Sequence, residues 1–264
     1  MGWGDILMAM GDAKAVHDIT GKRVVFPENR VFSQDTYWGA AFEKTPYICR
    51  AKDVNEDEEV VRFRNGIEIT PYIDWKKSTR KKMQFVPYKP KPAKLNFSMS
   101  LTNQLTEIKR QLGSFIFIEP NVKGSFSAKN KDWGFNNYQQ VVDQVEAQFV
   151  QPSYGAPLLK GVKPIKTSHF LEGAALLSIS NTALMPEGGL MHAAAAVNTA
   201  SVVIYGGFVS PDNTGYEIHK NFYVGGQPCG SLEPCKHCEA AMKKISPRIV
   251  AKKLSKLYQV SVKK

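Results

Sequence analysis

Pro186-Glu187-Gly188-Gly189-Leu190-Met191-His192 decides how this chain is read. Ahead of it, Thr182-Ala183-Leu184-Met185 reads as a short strand. Behind it, Leu190 to Ala196 opens an alanine-rich helix. Two glycines between a strand and a helix let a ligand come close to the backbone. The first amides of a helix have no partner inside it, and the helix dipole adds partial positive charge, so such a turn favours an anion such as a pyrophosphate. Glu187 is placed to bond a sugar or ribose hydroxyl, and His192, in the first helical turn, to donate to a phosphate. The competing reading is a tight strand-to-helix turn in which His192 is merely packed.

Outward from this segment, strands alternate with helices. Phe115-Ile116-Phe117-Ile118 is a continuous apolar run, the pattern of a strand covered on both faces. Tyr138 to Val150 and Ala174 to Ile179 read as helices, Ser201 to Tyr205 as a strand, and Ile249 to Tyr258 as a basic C-terminal helix. That alternation predicts a parallel sheet. Nearer the start, Ile6, Leu7, Met10 and Ala13 repeat at helical spacing over positions 5–19, and Gly21 stops the helix. Lys22 to Phe26 and Glu59 to Phe63 read as strands, and Asn65-Gly66 as a turn. Leu95 to Leu112 reads as a further helix. The reading divides the chain into two α/β halves, 1–110 and 111–264, with no internal repeat.

The chain has 264 residues, 35 Lys and Arg against 24 Asp and Glu, and a formal net charge of +11. Such a balance favours polyanionic partners, with simple solubility as the bland alternative. No apolar run reaches the ~18 residues of a membrane span, and the opening residues lack the pattern of a secretory leader. A cytoplasmic location is expected. Between Trp75 and Lys94 stand Lys76, Lys77, Arg80, Lys81, Lys82, Lys89, Lys91 and Lys94, with no acid among Trp75–Lys94, while Pro87, Pro90 and Pro92 forbid a helix. This stretch reads as a surface crossing.

Other segments carry chemistry. Glu119 to Ser127, followed by Lys131-Asp132-Trp133-Gly134, leaves the carboxyl end of a strand, where open α/β sheets place ligands. Ser125 and Ser127 can donate to phosphate there, and Lys131 can neutralise it; Lys123 and Lys129 are weaker candidates. Gly2-Trp3-Gly4-Asp5 heads the first helix, where Asp5 is either a cap or a general base facing a cleft. Cys229, Cys235 and Cys238 crowd together with His237 between the last two, an arrangement that gives His237 awkward geometry as a metal ligand. The expectation is free thiols and no metal. Ser210 to Tyr216 reads as a loop.

Taken together these segments resemble glycosyltransferase family 9, the ADP-heptose:lipopolysaccharide heptosyltransferase group, in a compact, phage-type form. Gly2-Trp3-Gly4-Asp5-Ile6-Leu7 resembles its opening glycine loop with Asp. Lys131-x-Trp133 resembles its lysine-tryptophan element. Glu187-Gly188-Gly189-Leu190-Met191-His192-Ala193-Ala194 resembles its donor loop, and Gly206-Gly207 to Tyr216 the loop that follows. The resemblance implies a GT-B fold, two Rossmann-like domains facing a cleft, with the N-terminal one reduced because the glycine loop begins at residue 2. It implies an inverting, metal-independent transfer from a nucleotide-diphosphate sugar, with no cofactor beyond that co-substrate. Asp5 would be the general base; Lys131, Ser125, Gly188, Gly189 and His192 would hold the diphosphate; Glu187 would bind sugar or ribose.

The acceptor is expected to be polyanionic. Lys76, Lys77, Arg80, Lys81 and Lys82, interleaved with Trp75, Phe85 and Tyr88, suit a phosphate backbone and stacking on a displaced base. The reading leans to hydroxymethylated DNA, with lipopolysaccharide core as the alternative. From another class, a non-enzymatic nucleic-acid binder with a degenerate Rossmann core competes. A P-loop enzyme is disfavoured, since no G-x-x-x-x-G-K-[ST] occurs.

Overall fold

The computed structural model describes residues 2–27, 45–64, 66–122, 126–224 and 226–263. The chain opens on α1 (Trp3–Thr20), closed by Gly21 in the left-handed conformation, φ 70°. Three short parallel strands follow: β1 (Arg23–Val25), β2 (Ile48–Cys49) and β3 (Val60–Arg62), in the order β2-β1-β3. The turn expected at Asn65-Gly66 begins on a residue outside the described ones. A long connection and α2 (Met99–Leu112) lead into the second half; residue 110 lies in the last turn of α2.

That half is a six-stranded parallel sheet: β4 (Ile116–Ile118), β5 (Phe149–Ser153), β6 (Lys163–Lys166), β7 (Thr182–Pro186), β8 (Ser201–Gly206) and β9 (Lys220–Tyr223). Its helices are α3 (Phe135–Gln144), α4 (Phe170–Ile179), α5 (Gly189–Ala196), the short α6 (Pro211–Thr214), α7 (Lys236–Lys243) and α8 (Pro247–Val262). The strand order is β6-β5-β4-β7-β8-β9. Counted within the half this is 3-2-1-4-5-6, the doubly wound order, and the winding reverses between β4 and β7. Ligands of such sheets sit beyond the carboxyl ends of the two strands at that reversal.

The apolar runs are explained by the alternation of strand side chains. Ile116, Ile118, Leu184, Val202 and Ile204 face one layer with Tyr138, Val141 and Leu254. Phe117, Ala183, Met185, Val203 and Tyr205 face the other, with Leu171, Met191, Ala194 and the α1 residues Leu7, Met10 and Ala13. That second core continues to Val24, Phe26 and Ile48 of the first sheet. Helix α1 is thus wedged between the two sheets, so it is apolar on more than one side.

Several expectations are corrected. The helix expected over Tyr138–Val150 ends at Gln144, and Phe149–Ser153 is β5. Phe149 and Val150 are buried and pair with Ile116 and Phe117, so sheet pairing overrides local helical continuity. Strands β2, β6 and β9 are additions; β6 and β9 are short, mixed in polarity and lie at the sheet's edges, where no continuous apolar run marks them. The basic stretch is not a plain crossing. Asp74 N–H bonds Gln84 O at 2.9 Å, Val86 N–H bonds Tyr72 O at 2.9 Å, and Ile73 bridges Phe85, so residues 72–86 form an irregular hairpin with the lysines at its tip. The chain beyond is clamped onto α1. A Cβ on Gly11 would lie 1.9 Å from the Lys91 carbonyl oxygen, so only glycine admits that approach.

Candidate functional site

The site is built where β4 and β7 end. Glu187 follows β7; its N–H bonds Ile204 O at 2.8 Å, and its side chain is buried. Gly188 leads into α5, whose first internal bond runs from Met191 N–H to Gly188 O. A Cβ on Gly188 would meet nothing within 4 Å, so the turn is open on that side. Gly189 is closed on its own side: a Cβ there would come within 3.1 Å of Phe170 and 3.2 Å of Trp3, which stack on each other with centroids 4.7 Å apart.

Lys131 ends the 3-10 turn Phe126–Lys131 and forms an ion pair with Glu187. Its ammonium also lies over the Phe208 ring, 5.1 Å from the centroid. Ser127 falls on the same turn; Lys123 and Ser125 lie outside the described residues. Asn130, buried beside Lys131, donates to Ser231 O and Glu233 O and accepts from Cys235 N–H, which ties this turn to the cysteine loop.

His192 is buried against the start of α1. A Cβ on Gly4 would lie 2.9 Å from His192 Cδ2, and His192 Nε2 is 4.0 Å from Glu187 Oε1. Its Nδ1 shares a 2.9 Å hydrogen bond with Tyr216 OH. Burial, then Lys131 and His219, push its pKa down to about 3, so the ring is neutral at ordinary pH and offers an N–H rather than a charge. His219 bonds Met191 O at 3.1 Å, and burial pushes its pKa down to about 4.

Asp5 stands in the first turn of α1. Its Oδ2 accepts from Gly2 N–H at 2.9 Å, which closes the helix end, and its Oδ1 accepts from Tyr72 OH at 2.8 Å. The cap expected of Asp5 is therefore present, and its second oxygen is held from a different element. Tyr72 stacks near Phe85, 6.0 Å between centroids, and Phe85 stands edge-on to Phe208 at 5.5 Å. A row of rings so connects Asp5 to Lys131. Sequence reasoning missed Tyr72 and Phe208.

The basic residues Lys76, Lys77, Arg80, Lys81 and Lys82 are all exposed at the hairpin tip. Two of the aromatics expected to meet a base are otherwise engaged: Phe85 packs between Tyr72 and Phe208, and Tyr88 OH bonds Asp12. Trp75 is half exposed, its N–H bonded to Thr70 Oγ1 at 2.9 Å. The tip is stitched to the cysteine loop through Leu232 N–H to Lys81 O and Met83 N–H to Gly230 O.

The awkward geometry expected of His237 is not what the cysteine loop shows. One ligand atom from each of Cys229, Cys235, His237 and Cys238 lies within 4.8 Å of the others. Cys235 caps α7, its sulfur accepting from Cys238 N–H, and this turn brings His237 and Cys238 to the same side as Cys229. The Cys229 and Cys238 sulfurs are 3.1 Å apart, and hydrogen bonding from Cys238 favours the Cys229 thiolate. Three sulfurs and an imidazole suit zinc or iron.

Two parallel α/β sheets with the candidate site between them constitute the GT-B fold. Solved structures share it over most of this chain. The iron-containing dodecameric glycosyltransferase TibC from enterotoxigenic E. coli H10407 matches with TM-score 0.61 at 14% identity, over 98% of this chain and 74% of that one. E. coli heptosyltransferase WaaC with ADP matches with TM-score 0.52 at 11% identity, over 100% of this chain and 97% of that one. E. coli ADP-heptose lps heptosyltransferase II is matched over just 56% of its length and 66% of this chain, at 18% identity and TM-score 0.49. No protein-family model matches the chain. No curated protein matches it either. Among the described residues no helix is long and apolar enough to cross a membrane.

Proposed function

We propose that this protein is an inverting glycosyltransferase that moves a sugar from a nucleotide-diphosphate donor to a hydroxyl of a polyanionic acceptor. One observation carries the reading: a carboxylate held at both oxygens, Asp5, is linked by a row of rings to the Lys131–Glu187 pair at the sheet's winding reversal. In this reading 1–110 is the acceptor side and 111–264 the donor side.

The diphosphate lies at the open turn of Gly188 and Gly189, against the first amides of α5, with Lys131 turning from Glu187 to phosphate. Glu187, released, accepts from a sugar or ribose hydroxyl. His192 contributes an N–H to the same turn. Asp5 takes the proton of the acceptor hydroxyl as its oxygen bonds to the anomeric carbon. The bond from that carbon to the diphosphate breaks, and its electron pair leaves with the phosphate. Lys131 and the helix amides stabilise the departing charge without a metal in the reaction path. TibC is described in complex with ADP-D-beta-D-heptose and WaaC with ADP, which supports a nucleotide-diphosphate donor here.

Lys76, Lys77, Arg80, Lys81 and Lys82 bind the phosphates of the acceptor. Hydroxymethylated DNA and lipopolysaccharide core both offer such phosphates; exposed Trp75 suits a base of the former. The cluster of Cys229, Cys235, His237 and Cys238 would hold a structural zinc or iron ion, which would brace both the hairpin tip and the Asn130–Lys131 turn. The deciding experiment is mass spectrometry of products from a nucleotide-sugar panel with both acceptors in parallel. Transfer by the wild type, lost in Asp5→Ala with nucleoside diphosphate still bound, is the expected result. Full transfer by Asp5→Ala would remove the base assignment, and nucleic-acid binding with no turnover of any donor would favour the non-enzymatic reading.

A further inference from the structure

We propose that Tyr72 is a positioning residue for Asp5, fixing the carboxylate that accepts the proton of the attacking hydroxyl and registering it against the diphosphate site. The inference rests on Asp5 being the general base.

A carboxylate at the third position of a helix folds back on the amide before the helix. That bond, Gly2 N–H to Oδ2 at 2.9 Å, caps α1 but holds a single oxygen. The second, Oδ1, is held from a different element, by Tyr72 OH at 2.8 Å across 67 residues of sequence. Two donors on two oxygens fix the plane of the carboxylate. Each ionised oxygen accepts more than one hydrogen bond, so a lone pair remains for the acceptor's proton.

The root of the hairpin is itself braced. Val86 N–H bonds Tyr72 O at 2.9 Å, and the Tyr72 ring lies 15° from parallel with Phe85. Phe85 leans edge-on against Phe208, over which the Lys131 ammonium sits. Tyr72 therefore joins the base to the group that meets the diphosphate and to the basic tip that meets the acceptor. Burial, then the carboxylates of Asp5 and Glu187, push its phenol well above the usual tyrosine range. It remains a donor through the reaction and exchanges no proton itself.

Tyr72→Phe keeps the ring and removes the donor. The measurement is turnover of ADP-heptose with water or the acceptors above, alongside ADP binding by calorimetry and the melting temperature. The expected outcome is a kcat lower by about 10- to 100-fold, the scale of a misplaced catalytic group, with KM for ADP-heptose and ADP affinity within twofold of wild type.

A wild-type kcat in Tyr72→Phe, with Asp5→Ala inactive, overturns the role of Tyr72 and leaves the base assignment standing. So does a loss that follows a fall in melting temperature and is carried by KM. Undiminished turnover by Asp5→Ala removes the base reading and this role with it. A wild type inert toward ADP-heptose and the rest of the nucleotide-sugar panel does the same.

Discussion

Gly4 and His192 occupy space that one more carbon would close: a Cβ on Gly4 would lie 2.9 Å from the imidazole Cδ2 and 3.2 Å from Nε2. The contact joins the head of α1 to the first turn of α5, so the candidate base and the candidate diphosphate turn are set by one packing interface. The ring has little room to yield because Tyr216 holds its other nitrogen.

Gly4→Ala should therefore destabilise the fold by roughly 1–3 kcal/mol, the usual range for overpacking. Gly11→Ala should cost at least as much, since the clash is with the backbone carbonyl of Lys91 rather than a side chain. Urea unfolding followed by circular dichroism measures both. Wild-type midpoints would show that α1 is not clamped as described.

Lys131→Met should weaken ADP binding by about 10- to 100-fold, the scale of one charge-assisted hydrogen bond. Glu187→Gln keeps the shape of the side chain and removes the ion pair, so it should retain more of the ADP affinity than Lys131→Met does. Isothermal titration of ADP separates them; equal affinity for Lys131→Met and wild type argues against a diphosphate at this turn.

The buried histidines set a pH dependence. Both rings are held neutral in the fold, at pKa values of about 3 for His192 and about 4 for His219, while the unfolded chain protonates them near 6.5. Below that value the unfolded state binds more protons, so stability falls as the pH is lowered; above it neither ring contributes. The slope is roughly 1.4 kcal/mol per pH unit for each histidine between 6.5 and its folded value. His219→Gln should flatten the decline between pH 6.5 and 4. Denaturant midpoints across that range decide, and an unchanged slope in the variant would rule out the His219 contribution.

The cysteine cluster makes a separate prediction. Chain purified from zinc- or iron-supplemented medium should carry about one metal ion by elemental analysis, and a chelator or Cys235→Ser should remove it and lower the melting temperature. The hairpin tip hangs on this loop through Leu232 and Gly230. Asn130, beside Lys131, is tied to the same loop, so acceptor affinity and ADP affinity should both fall with metal loss. Metal-free chain of unchanged melting temperature would contradict the centre.

The sequence by itself determined the parallel α/β class and the strand-to-helix glycine turn at Glu187–His192. Both are local: apolar runs report strands covered on two faces, and paired glycines before a helix report an open backbone. It also placed Asp5 and Lys131 in the candidate site, through their settings at a helix start and after a strand. Only the tertiary structure decided what those residues touch. Tyr72 reaches Asp5 across 67 residues, and Phe85, read from sequence as a ring for a nucleic-acid base, instead packs between Tyr72 and Phe208. His237 joins the three cysteines only because Cys235 caps α7 and turns the chain there. The short edge strands β6 and β9 left no continuous apolar run, because each is only partly covered and pairs on one side with a neighbour already in place. Periodicity and glycine freedom are written residue by residue; which distant side chain meets a carboxylate or joins a cysteine cluster is fixed by how the elements pack.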